Sequence, residues 1–304
     1  MTPLVVAVVG PTATGKSDLA LDLVDLLGGP AAAEVVNADA MQLYRDMDIG
    51  TAKLAPAERR GVAHHQLDVL DVTQDANVAA YQAHARADLA AIAARGRTPV
   101  LVGGSGLYVR AVLDHLDFPG TDADVRARLE ERVEAEGSRT LHSELARLDP
   151  AAAEQIGPRN ARRIVRALEV ISLTGRPYSA TLPKHTYRVP AVQLAVAVPR
   201  PELDERIARR AAALVAGGLL EATARLRERG FSRTAARAVG YAQAIAALEG
   251  RTGVPETVEE ISVATRQLAR RQEKWFRPDP RVHWLEPGAD LAARALAVVR
   301  AATP

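Results

Sequence analysis

A glycine loop at residues 10–17, with the sequence GPTATGKS, constrains this chain more than any other stretch. It follows an apolar run at residues 4–9 and precedes a helical pattern of leucines at positions 19, 23, 26 and 27. A strand, a GxxxxGK[ST] loop and a helix in that order are the P-loop context, in which backbone N–H groups and the helix N-terminus bind phosphate oxygens. Lys16 supplies a point charge, and the hydroxyl of Ser17 can ligate Mg²⁺. The sequence therefore predicts that the chain binds a di- or triphosphate.

Composition restricts the classes of protein that are compatible with this loop. The chain has 304 residues, of which 48% are apolar and 25% are charged, as in a soluble globular protein. It has no cysteine, which excludes disulfides, thiolate metal sites and a cysteine nucleophile. The net charge of +2 means that any nucleic-acid surface must come from local clusters of basic residues. The first strand leaves no room for a targeting peptide, and no apolar run approaches the roughly 18 residues of a membrane span, so we expect a cytoplasmic protein.

An acidic side chain is expected beside the P-loop. Residues 34–37 are predicted to form the second strand, and Asp39 follows its C-terminal end, where ligands bind in an open parallel sheet. Residues 98–102 are predicted to form a buried central strand that ends in the glycine loop 103–106. A nucleoside triphosphatase usually has an acid at the end of such a strand to hold Mg²⁺, but here that position is glycine and Asp39 is the nearest acid. The glycine loop permits close approach of a ligand, a tight strand–helix turn, or both together, and Ser105 adds a hydroxyl there.

The rest of the chain is predicted to be mostly helical. Residues 41–53 are interpreted as a functional loop with one short helical turn, although the pattern fits an ordinary surface loop equally well. The pair His64-His65 is interpreted as structural, because neither a cysteine nor a spaced acidic partner accompanies it. A strand is expected at residues 192–198 and an edge strand at residues 283–285. Helices are expected at residues 76–94, across 122–147 with a break at Gly137, after residue 158, and at 201–229, 241–248 and 259–276, with one more at the C-terminus.

Two of these helices carry clusters of arginine. In the helix after residue 158, Arg159, Arg163 and Arg166 share the face opposite the apolar positions, with almost no acidic partner. That pattern favours contact with a phosphate backbone over an ordinary solvated face. The second cluster consists of Arg266, Arg270, Arg271 and Lys274 in the helix 259–276. Trp275 belongs to the apolar stripe of this helix, and we expect it in the core rather than as a stacking surface for a base.

Seven stretches together resemble the bacterial tRNA dimethylallyltransferases, which are also called tRNA isopentenyltransferases. They are residues 10–17, 39–53, 64–68, 99–108, 163–169, 240–241 and 265–272, and they span nearly the whole chain in order. The first stretch begins with GPTA, and its proline and threonine make it a more specific motif than a generic P-loop. The resemblance implies an α/β fold with a P-loop NTPase-like parallel sheet and helices on both faces. It also implies a catalytic core at residues 1–119 and 186–304, with a helical insertion domain at residues 120–185 that contacts the tRNA anticodon stem-loop.

The resemblance further implies a reaction. A dimethylallyl group would pass from dimethylallyl diphosphate to N6 of the adenosine at tRNA position 37, next to the anticodon, and diphosphate would leave. Asp39 would take the proton of the amine, and Lys16 with Arg206 or Arg210 would stabilise the leaving charge, with Ser105 as a further catalytic group. The donor would be held by Gly10, Pro11, Thr12, Ala13, Thr14, Gly15, Lys16 and Ser17, with Mg²⁺ at Ser17. The tRNA would be held by Asp39, Ala40, Met41, Gln42, Leu43, Ser105, Arg126, Arg162, Arg163, Arg166, Arg266 and Arg270. We expect the chain to act as a monomer.

Four positions, in three stretches of the chain, depart from the usual pattern of that family. Ala40 replaces a usual serine, Ser105 a usual threonine, and Arg159-Asn160 a usual Asn-Asp pair. Ala40 lacks the hydroxyl for one hydrogen bond to RNA, whereas Ser105 keeps its hydroxyl.

Three other functions were weighed. A prenyltransferase that uses a free adenine nucleotide, as the cytokinin-forming enzymes do, would need neither the insertion nor the arginine clusters. A P-loop kinase of a small metabolite is disfavoured by the missing acid at the strand end. An RNA-binding module without catalysis would not need the P-loop together with Asp39. The role of Asp39 itself is open between general base and partner of Mg²⁺.

Overall fold

The computed structural model describes residues 4–181 and 185–303. Its strands are β1 (Val5–Val9), β2 (Ala33–Asn37), β3 (His64–His65), β4 (Thr98–Gly103), β5 (Ala191–Val196) and β6 (Val282–Leu285). Its helices are α1 (Lys16–Leu26), α2 (Val78–Ala94), α3 (Gly106–Leu113), α4 (Ala123–Glu136), α5 (Ser138–Leu148), α6 (Pro150–Gln155), α7 (Ala161–Thr174), α8 (Arg200–Ala216), α9 (Leu219–Arg229), α10 (Tyr241–Leu248), α11 (Val254–Phe276) and α12 (Leu291–Ala302). No helix of the described residues has the length and apolar character needed to cross a membrane.

The strands form one parallel sheet in the order β3-β2-β4-β1-β5-β6. Strand β1 is buried over its whole length, because Val5, Ala7 and Val9 point into one core and Val6 and Val8 into the other. Helices α2 and α3 pack into the first core, and α1 and α12 into the second. The predicted α/β fold, with a parallel sheet covered on both faces, is therefore confirmed.

The chain forms two compact units. One contains the sheet and consists of the residues up to Leu113 and from Tyr187 onward, and the other is Asp114–Thr186. The second unit contains α4 to α7, which pack around Leu141, Leu145, Ile156 and Ile164. The sequence analysis placed the helical insertion at residues 120–185, so the unit observed here begins six residues earlier and ends one residue later.

Three predicted elements differ from the structure. The helix expected over residues 201–229 is two helices, because Gly218 adopts a φ of 90°, a left-handed conformation that ends the helical path between α8 and α9. Residues 40–53 lie in turns without any helix, although all of them belong to the described part of the chain. Trp275 is 40% exposed rather than part of the core, because the buried face of α11 is formed by other residues, among them Ile261, Ala269, Gln272 and Phe276.

Candidate active site

The P-loop is folded by three residues with positive φ. Gly10, Ala13 and Gly15 have φ values of 118°, 64° and 87°, and the value at Ala13 is uncommon for a residue with a side chain. Thr14 Oγ1 donates to the carbonyl of Pro11 at 2.9 Å and closes the turn. Helix α1 begins directly after this turn, and the N–H groups of its first turn have no partner within the helix. The loop thus has the geometry of an anion-binding helix start.

Lys16 is half-buried, and its ammonium donates a hydrogen bond to the carbonyl of Pro11. Burial lowers the pKa of Lys16 to about 8, with the negative charge of Asp39 opposing the shift and the positive charge of Arg210 adding to it. Asp39 and Arg210 are therefore close enough to Lys16 to influence its ionisation. An anion bound at the loop would favour the charged form of Lys16.

Asp39 is oriented by its neighbours in sequence. Its backbone N–H donates to Asn37 Oδ1 at 2.9 Å, and Asn37 Nδ2 donates to the carbonyls of Asp39 at 3.0 Å and Gln66 at 2.9 Å. Its carboxylate atom Oδ1 accepts the N–H of Met41 at 2.9 Å. Among the described residues, no donor bonds the second carboxylate oxygen, Oδ2. One oxygen of Asp39 therefore fixes the side chain, and the other remains able to accept a proton or a hydrogen bond.

A cleft connects Asp39 with the P-loop. Its empty volume is about 550 Å³, including the part that is open to solvent. The polar groups that line it include Asp39, Thr12 and Arg210. The apolar wall consists of Met41, Ile207, Ala211, Leu214, Val239, Ile261 and Leu268. The cleft has the mixture of an apolar wall and a few convergent polar groups that is typical of small-molecule sites.

The structure distinguishes between the two arginines expected near the diphosphate. The guanidinium of Arg210 donates to Thr12 Oγ1 at 3.4 Å and to the carbonyl of Thr51 at 3.3 Å. Burial lowers the pKa of Arg210, and the charge of Asp39 opposes that shift. Arg206 instead pairs with Glu202 at 2.5 Å, one turn earlier on α8, and does not line the cleft. Of the two, Arg210 is the cation positioned at the P-loop.

The second glycine loop is required by packing within the protein. An added Cβ at Gly103 would lie 2.3 Å from the carbonyl of Ala38, and one at Gly104 would lie 2.3 Å from Gln272 Nε2. These contacts support the tight turn, which the sequence analysis left compatible with a close approach of ligand. Ser105 Oγ accepts the N–H of Ala40 at 3.1 Å, so the hydroxyl connects this turn to the residue after Asp39.

Sequence reasoning gave no site role to Gln272, which contacts the P-loop from α11. Its Oε1 accepts the N–H of Thr12 at 2.8 Å, and the side chain is 6% exposed. Its position in the stretch 265–272, which resembles the tRNA dimethylallyltransferases, was the sequence feature that could have indicated a role in the site. Asn37 was missed as well, because a polar residue at the end of an apolar strand is compatible with many roles.

The loop at residues 40–53 is held by polar contacts on its inner side. The ammonium of Lys53 is buried and bonds Asp48 at 2.7 Å, Asp68 at 2.5 Å and the carbonyl of Tyr44 at 2.7 Å. Gln42 Nε2 donates to the carbonyl of Thr51 at 3.2 Å, the same carbonyl that Arg210 contacts.

Of the loop residues expected to contact tRNA, Ala40, Met41 and Gln42 are half-buried, whereas Leu43 is 2% exposed. Leu43 therefore anchors the loop in the core, and its side chain offers no surface to RNA.

In the unit Asp114–Thr186, the expectation of arginines without acidic partners is wrong for Arg166. Its guanidinium bonds Glu169 at 2.8 Å, as does that of Arg126 at 2.7 Å, and Glu169 is fully buried. Burial tends to raise the pKa of Glu169, but the two arginines outweigh it and hold the pKa below its ordinary value. Arg162 and Arg163 are exposed and form no ion pair with any described residue.

In the other unit, Arg266 bonds Glu259 at 2.7 Å, whereas Arg270 is exposed and has no ion pair in the described part of the chain.

The two histidines have structural contacts. His65 Nε2 bonds Glu34 at 2.6 Å, and His64 Nδ1 bonds the carbonyl of Val62 at 2.9 Å. Within the described ranges, no group of three or more His, Asp or Glu side chains is arranged to hold a metal ion. A metal at Ser17 would therefore take most of its oxygen ligands from a bound phosphate and water.

The sheet and the site define the class as an α/β P-loop protein with a carboxylate and an arginine beside the loop. A family model described as IPP transferase matches residues 42–279. A tRNA dimethylallyltransferase of Thermobifida fusca is 58% identical over 97% of this chain and 94% of its own length, and one of Kineococcus radiotolerans is 56% identical over 98% and 97%. The full-length tRNA isopentenylpyrophosphate transferase of Bacillus halodurans has 35% identity and a TM-score of 0.71, with 99% of this chain and 98% of that chain covered.

A eukaryotic dimethylallyltransferase, whose structures are described as snapshots of the enzyme acting on tRNA, shares the fold. Its TM-score is 0.83 at 24% identity, over 99% of this chain and 80% of that chain. The chain belongs to the IPP transferase family and is a prenyltransferase.

Proposed function

We propose that this chain transfers a dimethylallyl group from dimethylallyl diphosphate to N6 of the adenosine at tRNA position 37, giving N6-dimethylallyladenosine and diphosphate. The observation that carries the proposal is the cleft in which Asp39 faces Arg210 and the P-loop residue Thr12. A base and a binding site for the leaving group are the two functions that this reaction requires. The names of the relatives agree with this assignment.

The diphosphate of the donor would occupy the P-loop. The N–H groups at the start of α1, with Lys16 and Arg210, would stabilise the charge that develops on diphosphate as the carbon–oxygen bond breaks. Mg²⁺, when bound at Ser17, would supply further neutralisation of that charge. The half-buried hydroxyl of Ser17 fits such an ion, since Mg²⁺ in phosphate sites commonly uses few protein ligands.

The five-carbon group of the donor would lie against the apolar wall of the cleft. Ile207, Leu214 and Leu268 line the same space as Thr12 and would exclude water from the carbon under attack. An apolar wall at that place fits the hydrocarbon part of a prenyl donor.

Asp39 would act on the acceptor. The lone pair of the N6 amine is delocalised into the adenine ring, so the amine is a weak nucleophile. The free Oδ2 atom of Asp39 would accept a hydrogen bond from the amine and take its proton as the new carbon–nitrogen bond forms. Asn37, Met41 and the turn at Ser105 fix the direction of this carboxylate, so that positioning accounts for much of the rate.

The acceptor would be a single-stranded base of the anticodon loop, turned out of its stack into the cleft. Met41 and Gln42 lie on the half-buried rim beside Asp39, and the exposed cations Arg162, Arg163 and Arg270 would contact phosphates. The carbonyl of Thr51 accepts hydrogen bonds from both Gln42 and Arg210. It thereby connects Gln42, which we expect at the RNA, with Arg210, which we expect at the diphosphate.

Incubation with labelled dimethylallyl diphosphate, Mg²⁺ and unmodified tRNA, followed by nucleoside analysis, tests the proposal. The expected product is N6-dimethylallyladenosine in tRNA with release of diphosphate. Labelling of free AMP in place of tRNA would support the rival that uses a free nucleotide. Consumption of ATP with a small acceptor, and no prenyl transfer, would support the kinase.

A further inference from the structure

Trp275 lies at the same edge of the sheet as the proposed active site. It follows Gln272 on α11 by one turn, and Gln272 bonds the P-loop residue Thr12. An added Cβ at Gly106 would come within 2.8 Å of the indole of Trp275, so the ring packs directly on the start of α3. Gly106 follows Ser105, whose hydroxyl holds the residue next to Asp39. The indole is therefore a neighbour of the turn that positions the proposed base.

The ring is accessible, unlike that of the second tryptophan. Trp275 is 40% exposed, and the guanidinium of Arg110 lies 5.2 Å from the centre of its ring. Trp284 also has an arginine against its ring, with Arg277 at 4.1 Å, but it is half-buried and packs against the core of the sheet. Trp275 is therefore the more exposed of the two tryptophans.

Two further cations are near Trp275 in the sequence of α11. Arg271 precedes Trp275 by one turn of α11, and Lys274 precedes it by one residue. Both side chains are exposed and form no ion pair with any described residue. An accessible indole near unpaired cations is complementary to a nucleobase with its flanking phosphates.

We propose that Trp275 is a stacking platform for an unpaired base of the RNA substrate, next to the adenosine that enters the cleft. Arg271 and Lys274 contact the phosphates on either side of the stacked base. The inference rests on the proposed function and adds a second contact point to it. Holding a neighbouring base fixes the backbone from which the reactive adenosine is turned out.

Fluorescence provides a direct test, because the chain contains two tryptophans. In a Trp284→Phe background, the emission comes from Trp275 alone. Titration with an anticodon stem-loop RNA that carries adenosine at position 37 is expected to quench this emission in a saturable way. Emission that stays constant while the RNA is shown to bind by a second method, such as filter retention, would overturn the platform.

Affinity provides the second test. Trp275→Ala is expected to weaken stem-loop binding by about 5- to 150-fold, and Trp275→Phe by much less, because stacking tolerates a smaller ring. Stem-loops that lack one base at a time, on either side of position 37, identify the base that stacks. Removal of that base should weaken binding to the wild type but should not further weaken binding to Trp275→Ala. Trp284→Phe, which alters the half-buried tryptophan, serves as the matched control and should bind RNA normally.

Two measurements separate a failed platform from other failures. Inorganic diphosphate binding by Trp275→Ala should match that of the wild type, which shows that the P-loop side is folded. If the wild-type chain transfers the prenyl group to tRNA and Trp275→Ala binds every stem-loop as well as the wild type, the platform is wrong and the proposed function stands. If the wild type modifies no tRNA, the proposed function is wrong, and the emission of Trp275 still decides whether RNA stacks there.

Discussion

The side-chain amide of Asn37 bonds both ends of the backbone of Asp39. Its Oδ1 accepts the N–H of Asp39 at 2.9 Å, and its Nδ2 donates to the carbonyl of Asp39 at 3.0 Å. Asn37 is 4% exposed and also donates to the carbonyl of Gln66 at 2.9 Å. The last residue of β2 thus decides where the carboxylate two residues later can point.

Asn37→Ala is expected to slow the single-turnover rate by about 10- to 100-fold, because a small displacement of a catalytic group is costly. The buried carbonyls that lose their donor should also lower the free energy of unfolding by about 1–3 kcal/mol. The control is Asn77→Ala, which removes the side chain that caps α2 by accepting from Ala79 and Ala80. That variant should lose about 1 kcal/mol of stability and keep its rate. Equal rates in the two variants would remove the positioning role of Asn37.

Asp39→Asn keeps the size of the side chain and one acceptor oxygen, but it cannot take a proton. The single-turnover rate is expected to fall by about 10²–10⁴-fold, with the affinities for donor and tRNA changed far less. If Asp39 served Mg²⁺ instead, the substitution would weaken diphosphate binding, and excess Mg²⁺ would restore part of it. Such a rescue, or an unchanged rate of the chemical step, would show that Asp39 is not the general base.

The affinity for the donor should depend on pH through Lys16. Burial lowers the pKa of Lys16 to about 8, and only the protonated form attracts diphosphate. Affinity should therefore be full below pH 8 and fall by up to about tenfold per pH unit above it, as the ammonium is lost. Lys16→Arg stays charged over this range and should show a flat profile, whereas Lys16→Ala should bind weakly at every pH. A flat wild-type profile together with undiminished affinity in Lys16→Ala would show that Lys16 does not contact the donor.

Arg210→Ala and Arg206→Ala form a matched pair on α8. Arg210 contacts Thr12 of the P-loop, whereas Arg206 pairs with Glu202 outside the residues that line the cleft. Loss of a cation that faces the leaving diphosphate should lower the rate of transfer by about 10²–10³-fold, and loss of the surface pair should change it little. Single-turnover rates at saturating donor decide between them, and a reversed order would place Arg206 at the diphosphate.

The arginines of α7 should separate into two kinds. Arg162→Ala with Arg163→Ala should weaken tRNA binding and reduce its salt dependence by about one to two phosphate contacts, because both side chains are exposed. Arg166→Ala should act on stability instead, because Glu169 would keep only Arg126 as its cationic partner. Binding at several salt concentrations and urea unfolding measure the two effects. An unchanged salt slope in the double variant would assign Arg162 and Arg163 to an ordinary solvated face.

The fold could be predicted from the sequence because its signals are local. The run before the P-loop, the run after residue 190 and the β-branched stretch at residues 98–102 are apolar at nearly every position, which is typical of strands buried on both sides. The P-loop itself needs only consecutive residues, since positive φ at Gly10 and Gly15 and the start of α1 follow from glycine chemistry. The same locality placed Asp39 after β2 at the edge of the sheet where ligands bind.

The tertiary structure decided which charged side chains are available to contact the substrates. In the sequence, Arg206 and Arg210 differ by one helical turn, and Arg163 and Arg166 share a helix. Helical spacing offers a local acidic partner to one member of each pair, Glu202 to Arg206 and Glu169 to Arg166. Contacts with residues far along the chain do not follow from spacing: Arg126 bonds Glu169 on another helix, and Arg210 meets Thr12 of the P-loop. Burial of Leu43, exposure of Trp275 and the contact between Gln272 and the P-loop arise in the same way, from the packing of distant elements. The sequence by itself determined the sheet and the phosphate loop, and long-range packing determined which side chains face the cleft.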